Sequence, residues 1–169
     1  MTCDRPLDPP QVHLSPGQLL VTREARVVAT VLGSCVAVTM FHAPSGLAAI
    51  CHAMLAEPRS REVVRNGDPA RFRYVAHALP EMIGVFHRAG ARPQAVEVKL
   101  FGGANVLGDG HHGDPLWIGG SNVAAARRLL ERAAFAIAAE NTGGIKGRKI
   151  LFNTATGDVL HKHLARGRA

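Results

Sequence analysis

The stretch that decides the fold is residues 27–55, which read VVATVLGSCVAVTMFHAPSGLAAICHAML. It contains three runs of β-branched and other apolar residues, separated by Gly33-Ser34 and by the turn residues 42–46. β-Branched residues favour strands, whereas glycine, proline and serine favour the turns between them. Because these connections are short, the three strands are most simply antiparallel.

Patterns on either side of this stretch predict two helices and further strands. A first helix is expected from Pro69, after the capping residue Asp68, to just before Gly90, with a kink at Pro80. A second helix is expected to start at residue 121 or 122 and to run to about residue 134. Further strands are expected at residues 18–22, 96–101, 135–139, 149–153 and 158–160. The sequence therefore predicts an α+β protein, a layered fold with packed, largely antiparallel β-sheets flanked by two main helices.

Length and composition point to one globular domain. The chain has 169 residues, of which 47% are apolar, and this excludes a disordered protein. We expect a flexible N-terminal tail at residues 1–16, a single domain at residues 17–163 and a basic C-terminal tail at residues 164–169. No apolar run is long enough to cross a bilayer, and the first sixteen residues lack the apolar core of a signal peptide. The expected location is therefore the cytoplasm.

The three cysteines, Cys3, Cys35 and Cys51, do not form a disulfide framework. Their number is odd and their spacing is not that of a zinc site, so we expect free thiols. His111-His112 could bind a metal together with His161 or His163, but loop histidines at such spacing are usually solvated. Residues 108–113 match G-x-G-x-x-G by letter, yet no helix follows them directly. We expect neither a metal nor a cofactor.

The formal net charge of +7 favours an acidic partner, which could be a nucleic acid, a membrane surface or an acidic protein. The chain has only one tryptophan and one tyrosine, which argues against a surface on which bases stack. An acidic protein is therefore the favoured partner, with no nucleic acid and no membrane insertion.

Cys35 and His52 are the candidate reactive residues. Cys35 follows the Gly-Ser turn at a strand end, where free backbone N–H groups could face a developing oxyanion. A thiol with a pKa of about 8.5 needs a base, and His52 on the next strand could serve. A third group must orient the imidazole, either a hydroxyl such as that of Thr30 or a backbone carbonyl. The alternative is a structural role, which is the commonest one for a cysteine in an apolar strand and is expected for Cys51.

Several ordered motifs then resemble the CheD family, the chemoreceptor glutamine deamidases of bacterial and archaeal chemotaxis. The motifs are LGSCVAV at residues 32–38, HAML at 52–55, KLFGGANV at 99–106, IGGSNV at 118–123, TGG and GRKI within 142–150, and FNT and TG within 152–157. They cover the chain from about residue 18 to residue 159.

The resemblance implies that Cys35 is the nucleophile and His52 the base. It also implies an upstream threonine, for which Thr30 is the candidate, although the family pattern places that residue one position earlier, where Ala29 stands. The implied reaction hydrolyses glutamine side chains of methyl-accepting chemotaxis receptors to glutamate without a cofactor. The implied partners are Glu/Gln-rich receptor helices and a CheC-type phosphatase.

Two other functions remain open at this point. The first is a non-catalytic CheD-like adaptor that binds chemoreceptors or a CheC-type phosphatase. It is motivated by Ala29, which stands where the family pattern has threonine, because a shift of one residue moves a side chain to the other face of a strand. The second is a nucleic-acid-binding domain, which is motivated by charge alone.

Overall fold

A computed structural model describes residues 9–59, 62, 64–106 and 117–165 of the chain. The strands in this part of the chain are β1 (Gln11–His13), β2 (Leu19–Thr22), β3 (Val27–Leu32), β4 (Val36–His42), β5 (Leu47–Ala53), β6 (Glu97–Gly102), β7 (Ile137–Thr142), β8 (Arg148–Asn153) and β9 (Val159–His163). The helices are α1 (Val75–Arg88) and α2 (Ile118–Arg132), and short 3-10 turns lie at Ala43–Ser45, Pro69–Arg73 and Pro93–Ala95. Neither helix has the length and apolar character that spanning a membrane requires.

The strands form two sheets. One has four strands in the order β1-β3-β8-β9, and the other has five in the order β2-β5-β4-β6-β7. The pairs β1–β3 and β6–β7 are parallel, whereas the remaining neighbours are antiparallel. This arrangement confirms the expected α+β fold with two helices and largely antiparallel sheets.

Strands β4 and β5 lie in the middle of three layers, because side chains alternate between the two faces of a strand. On one face, Val38 and Cys51 belong to a core shared with both helices. On the other face, Ala37 and Ile50 belong to a second core shared with β3 and β8. The five-stranded sheet is therefore covered by the helices on one side and by the four-stranded sheet on the other.

The N-terminal segment differs from the tail expected at residues 1–16. Strand β1 pairs with β3 in parallel, and the next residue, Leu14, is only 5% exposed. Leu14 N–H donates to the carbonyl of Ala29 at 2.9 Å. Three residues of strand pairing and one buried leucine attach residues 11–14 to the fold, so the ordered part of the domain begins before residue 17.

Helix α2 begins at Ile118, earlier than the expected start at residue 121 or 122. Gly119 and Gly120 lie inside the helix, although glycine is a poor helix former. Larger residues would not fit at these two positions. A Cβ atom on Gly119 would lie 2.6 Å from the carbonyl oxygen of Gly103, and one on Gly120 would lie 2.7 Å from the Trp117 ring. The glycines allow the helix to approach the loop that follows β6.

Two further boundaries differ from the sequence prediction. Asp68 caps the 3-10 turn Pro69–Arg73 by accepting from Ala70 N–H at 2.8 Å, and α1 starts only at Val75. The strand expected at residues 135–139 is β7, which lies further toward the C-terminus at Ile137–Thr142. Residues 141 and 142 stay extended because they pair with β6.

Candidate active site

The register of β4 and β5 puts Cys35 and His52 on the same face of the sheet. His52 lies opposite Ala37, and Cys35 stands two residues before Ala37. Cys35 packs against the core between the two sheets, whereas Cys51 belongs to the core on the helix side. Diagonal neighbours of this kind are roughly 7–8 Å apart, which longer side chains can bridge. The fold therefore brings the two candidate residues to one place and removes Cys51 from it.

The carbonyls of all three residues in the turn 33–35 accept hydrogen bonds. Ala104 N–H donates to the carbonyl of residue 33 and Gly103 N–H to that of residue 35, each at 2.8 Å. The side-chain amide of Asn122 donates to the carbonyl of residue 34 at 3.0 Å. The loop after β6 and helix α2 therefore hold the backbone around Cys35 in one conformation.

Gly102 makes this close approach possible. Its φ angle is +108°, a backbone conformation that residues with a side chain rarely adopt. A Cβ atom at this position would lie 2.1 Å from the carbonyl oxygen of Cys35. A larger residue here would displace the cysteine turn.

The His52 imidazole is oriented by a short chain of hydrogen bonds. Thr30 Oγ1 lies 2.7 Å from His52 Nδ1 and 2.7 Å from the carbonyl oxygen of Leu14. A carbonyl can only accept, so the single hydroxyl proton of Thr30 points to Leu14 and His52 Nδ1–H donates to Thr30. The tautomer that results carries its free lone pair on Nε2. This atom is buried and accepts no hydrogen bond within the described part of the chain.

Burial keeps both reactive groups neutral at rest. It lowers the pKa of His52 to about 4; the backbone carbonyl of Leu14 opposes this shift, and the charge of His13 adds to it. Burial also raises the pKa of the Cys35 thiol, against the opposing effect of the residue's own backbone N–H. The pair at neutral pH is therefore a thiol and an imidazole, and the imidazole can act as a base.

Cys51 has an environment unlike that of Cys35. Its side chain is 1% exposed, and burial raises the pKa of its thiol to about 11. A buried thiol with such a pKa is unreactive near neutral pH.

The other residues considered from sequence lie elsewhere or outside the described residues. His111, His112 and the glycine motif at 108–113 lie outside them. His161 and His163 are on β9, where their ring centroids are 6.0 Å apart. Within the described residues no group of three or more His, Cys, Asp or Glu side chains is placed to hold a metal ion.

Sequence reasoning missed two contributors to the site. The carbonyl of Leu14 was hidden because residues 1–16 read as a tail, and a backbone carbonyl has no sequence signature. Asn122 had a weak signal, since it is a polar residue beside the apolar face of α2, and it is completely buried.

Comparisons with known proteins show the family to which this chain belongs. A family model described as CheD chemotactic sensory transduction matches residues 54–163. The chain belongs to the CheD family. A Geobacter sulfurreducens relative named probable chemoreceptor glutamine deamidase CheD 2 is 41% identical over 160 residues, which is 95% of this chain and 94% of the relative. The alignment with this relative includes N-terminal strands that lie outside the family-model match.

Two further CheD relatives come from Oleidesulfovibrio alaskensis and Thermococcus kodakarensis. Both are named probable chemoreceptor glutamine deamidase CheD. The one from Oleidesulfovibrio alaskensis is 45% identical and aligns with 92% of this chain and 73% of its own length. The one from Thermococcus kodakarensis is 32% identical and aligns with 94% of this chain and 96% of its own length. A crystal structure of the Bacillus licheniformis hypothetical protein YfiH aligns with 73% of this chain and 49% of that protein, at 16% identity and a TM-score of 0.46, too low to support an argument.

Proposed function

We propose that this CheD family protein is a protein-glutamine amidohydrolase, which deamidates glutamine side chains of methyl-accepting chemoreceptors to glutamate through a cysteine thioester. The observation that carries the proposal is the Thr30–His52 contact of 2.7 Å, which leaves the Nε2 lone pair of His52 free on the face that bears Cys35. The names of the CheD relatives supply the substrate class.

The first half of the reaction forms the thioester. Cys35 Sγ attacks the amide carbon of the glutamine side chain while His52 Nε2 takes the thiol proton. The amide oxygen becomes an oxyanion, which the backbone N–H of Cys35 stabilises. The carbon–nitrogen bond then breaks, the proton on Nε2 passes to the departing nitrogen, and ammonia leaves.

The second half hydrolyses the thioester. His52 Nε2 takes a proton from water, and the hydroxide attacks the thioester carbon. The carbon–sulfur bond breaks, the thiolate regains the proton from Nε2, and glutamate is released. In both halves Nδ1–H stays hydrogen-bonded to Thr30, so the imidazolium that forms is held by the same contact that orients the neutral ring.

The surroundings of Cys35 suit a protein substrate. Val106 lies against Gly33, and the exposed side chains of Met54, Val106 and Ile118 present apolar surface near the cysteine turn. An amphipathic helix offers apolar and amide side chains together. The net charge of +7 suits Glu/Gln-rich receptor helices, and a CheC-type phosphatase is a second partner consistent with the family. Such partners imply a cytoplasmic location.

A non-catalytic adaptor is the competing function, and its motivation was the position of the threonine. The contact between Thr30 and His52 argues against that motivation, because a threonine at this position reaches the imidazole.

The test is incubation of the protein with a receptor cytoplasmic fragment, followed by mass spectrometry of the glutamine peptides. We expect conversion of amide to acid with the wild type and with Cys51→Ala, and none with Cys35→Ala. Cys51→Ala is a matched control, since it removes a thiol one residue from His52 but on the opposite face of the sheet. Equal deamidation by wild type and Cys35→Ala would refute the proposed function.

A further inference from the structure

Asn122 is a completely buried polar residue in the second turn of α2. Its side-chain amide donates to the carbonyl of Ser34 at 3.0 Å and to the carbonyl of Met54 at 2.9 Å. Both acceptors are carbonyl oxygens, so these contacts fix which end of the carboxamide is the nitrogen. Both N–H donors of one side chain are therefore used on two different strand ends.

These two strand ends carry the reactive residues. Ser34 directly precedes Cys35, and Met54 follows His52 by two residues. The pairing of β4 with β5 ends at Val36 and Ala53, and beyond that point the Asn122 amide connects the two chains. One side chain thus sets the spacing between the segment with the nucleophile and the segment with the base.

The contact with Ser34 also sets the direction of a backbone N–H. A trans peptide is planar, and its C=O and N–H point in opposite directions. Because the carbonyl of Ser34 points to Asn122 in α2, the N–H of Cys35 points away from the helix. That N–H lies beside the Cys35 thiol, where it lowers the thiol pKa. It therefore points to the place where the oxyanion of the proposed reaction would form.

The oxygen of the Asn122 carboxamide, unlike its nitrogen, has no partner among the described residues. Its Oδ1 is buried and accepts no hydrogen bond within the described part of the chain. Buried polar atoms are nearly always paired, and an unpaired one destabilises the fold. A residue selected for stability alone would avoid this arrangement, whereas a residue needed for two N–H donors in one plane would retain it.

We infer that Asn122 is a positioning residue for deamidation, which holds the carbonyls of Ser34 and Met54 so that the Cys35 N–H faces the oxyanion and the thiol stays aligned with the imidazole. This inference rests on the proposed function. Asn122 acts through the backbone of Ser34 and Met54 and does not itself touch the substrate.

The test compares steady-state deamidation by Asn122→Ala and Asn122→Ser with the wild type. We expect kcat to fall by about 100-fold or more in the alanine variant, as when one oxyanion donor is lost. KM should stay within about threefold, because the interaction lost acts on the transition state. Serine retains one donor and should recover part of the loss in kcat.

The matched control is Thr154→Val. Thr154 is also buried, and its hydroxyl bridges backbone groups of Glu24 and Arg26 at the other end of β3. Its substitution removes comparable hydrogen bonds away from Cys35, so kcat should be unchanged even where the melting temperature falls. Wild-type activity in the same assay tests the proposed function separately from this inference.

Three results would overturn the inference. The first is a kcat for Asn122→Ala equal to that of the wild type. The second is a loss confined to KM, which would indicate a role in substrate binding. The third is that neither variant folds, or that both lose activity only in proportion to unfolded protein, which would make Asn122 a structural residue.

Discussion

The contribution of His52 to the loss of stability on acidification can be worked out from its pKa. The side chain is 2% exposed, and burial lowers its pKa from 6.5 to about 4. The unfolded chain therefore binds a proton between these two values while the folded chain does not. Since stability falls wherever the unfolded state binds more protons, the contribution of His52 is complete above pH 6.5 and is lost as the pH falls toward 4.

The two pKa values give the size of the effect. Relative to a pH near 7.5, the wild type should lose about 1.3 kcal/mol near pH 5.5 and about 2.5 kcal/mol near pH 4.5 from this residue. The assay is urea denaturation at these three pH values for the wild type and for His52→Gln. The difference between the two proteins isolates His52, because the other titrating groups are common to both.

Cys35→Ala serves as the control for the cause of the shift. If burial lowers the His52 pKa, the alanine variant keeps the wild-type dependence on pH. If a resting thiolate–imidazolium pair existed, the His52 pKa would instead be raised, and the wild type would gain stability on acidification until the thiolate was protonated. The reasoning is refuted if wild type and His52→Gln lose stability in parallel, or if Cys35→Ala alone removes the difference.

Three further substitutions or modifications probe the site. Thr30→Val should reduce the rate of deamidation by about 100-fold or more, because the imidazole loses the group that orients it, whereas Thr30→Ser should retain most of the wild-type rate. Initial rates with a receptor fragment measure both variants, and equal rates for the two would contradict this role of Thr30. Iodoacetamide near neutral pH should modify Cys35 before Cys51, as followed by peptide mass mapping, and the reverse order would show that the site is misassigned. Gly102→Ala should lower both the melting temperature and kcat, whereas Gly46→Ala, with φ +63° and open space around it, should cost only about 1–2 kcal/mol of stability and leave kcat unchanged.

Strand alternation explains why Thr30, and not residue 29, reaches the imidazole. In β3 the buried residues Val28 and Leu32 face the core shared with β4 and β5, and Thr30 lies between them on the same face. Ala29 points to the opposite face, so a threonine there would not contact His52 in this register. The sequence contains this information, because the alternation of Val28, Thr30 and Leu32 identifies the inward face.

The parts of the site that sequence could not predict are long-range contacts with backbone atoms. The carbonyl of Leu14 lies 16 residues from Thr30, and Asn122 lies 88 residues from Ser34. Both acceptors are backbone carbonyl oxygens, so the side chains of Leu14 and Ser34 give no indication of these contacts. The β4–β5 strands and the turn before Cys35 were predictable because glycine, serine and β-branched residues act locally, whereas these contacts depend on how three layers pack together.

A neutral resting pair makes preorganisation of the cysteine turn essential. Burial raises the pKa of the Cys35 thiol and lowers the pKa of His52 to about 4, so moving the proton from the thiol to the imidazole costs free energy. Attraction between the thiolate and the imidazolium returns part of this cost. Proton transfer therefore takes a share of the total barrier, which is about 17 kcal/mol for a turnover of about one per second. The remainder is within reach only if the oxyanion donor is already in place when the thiolate forms, and the three bonded carbonyls of residues 33–35 supply that condition.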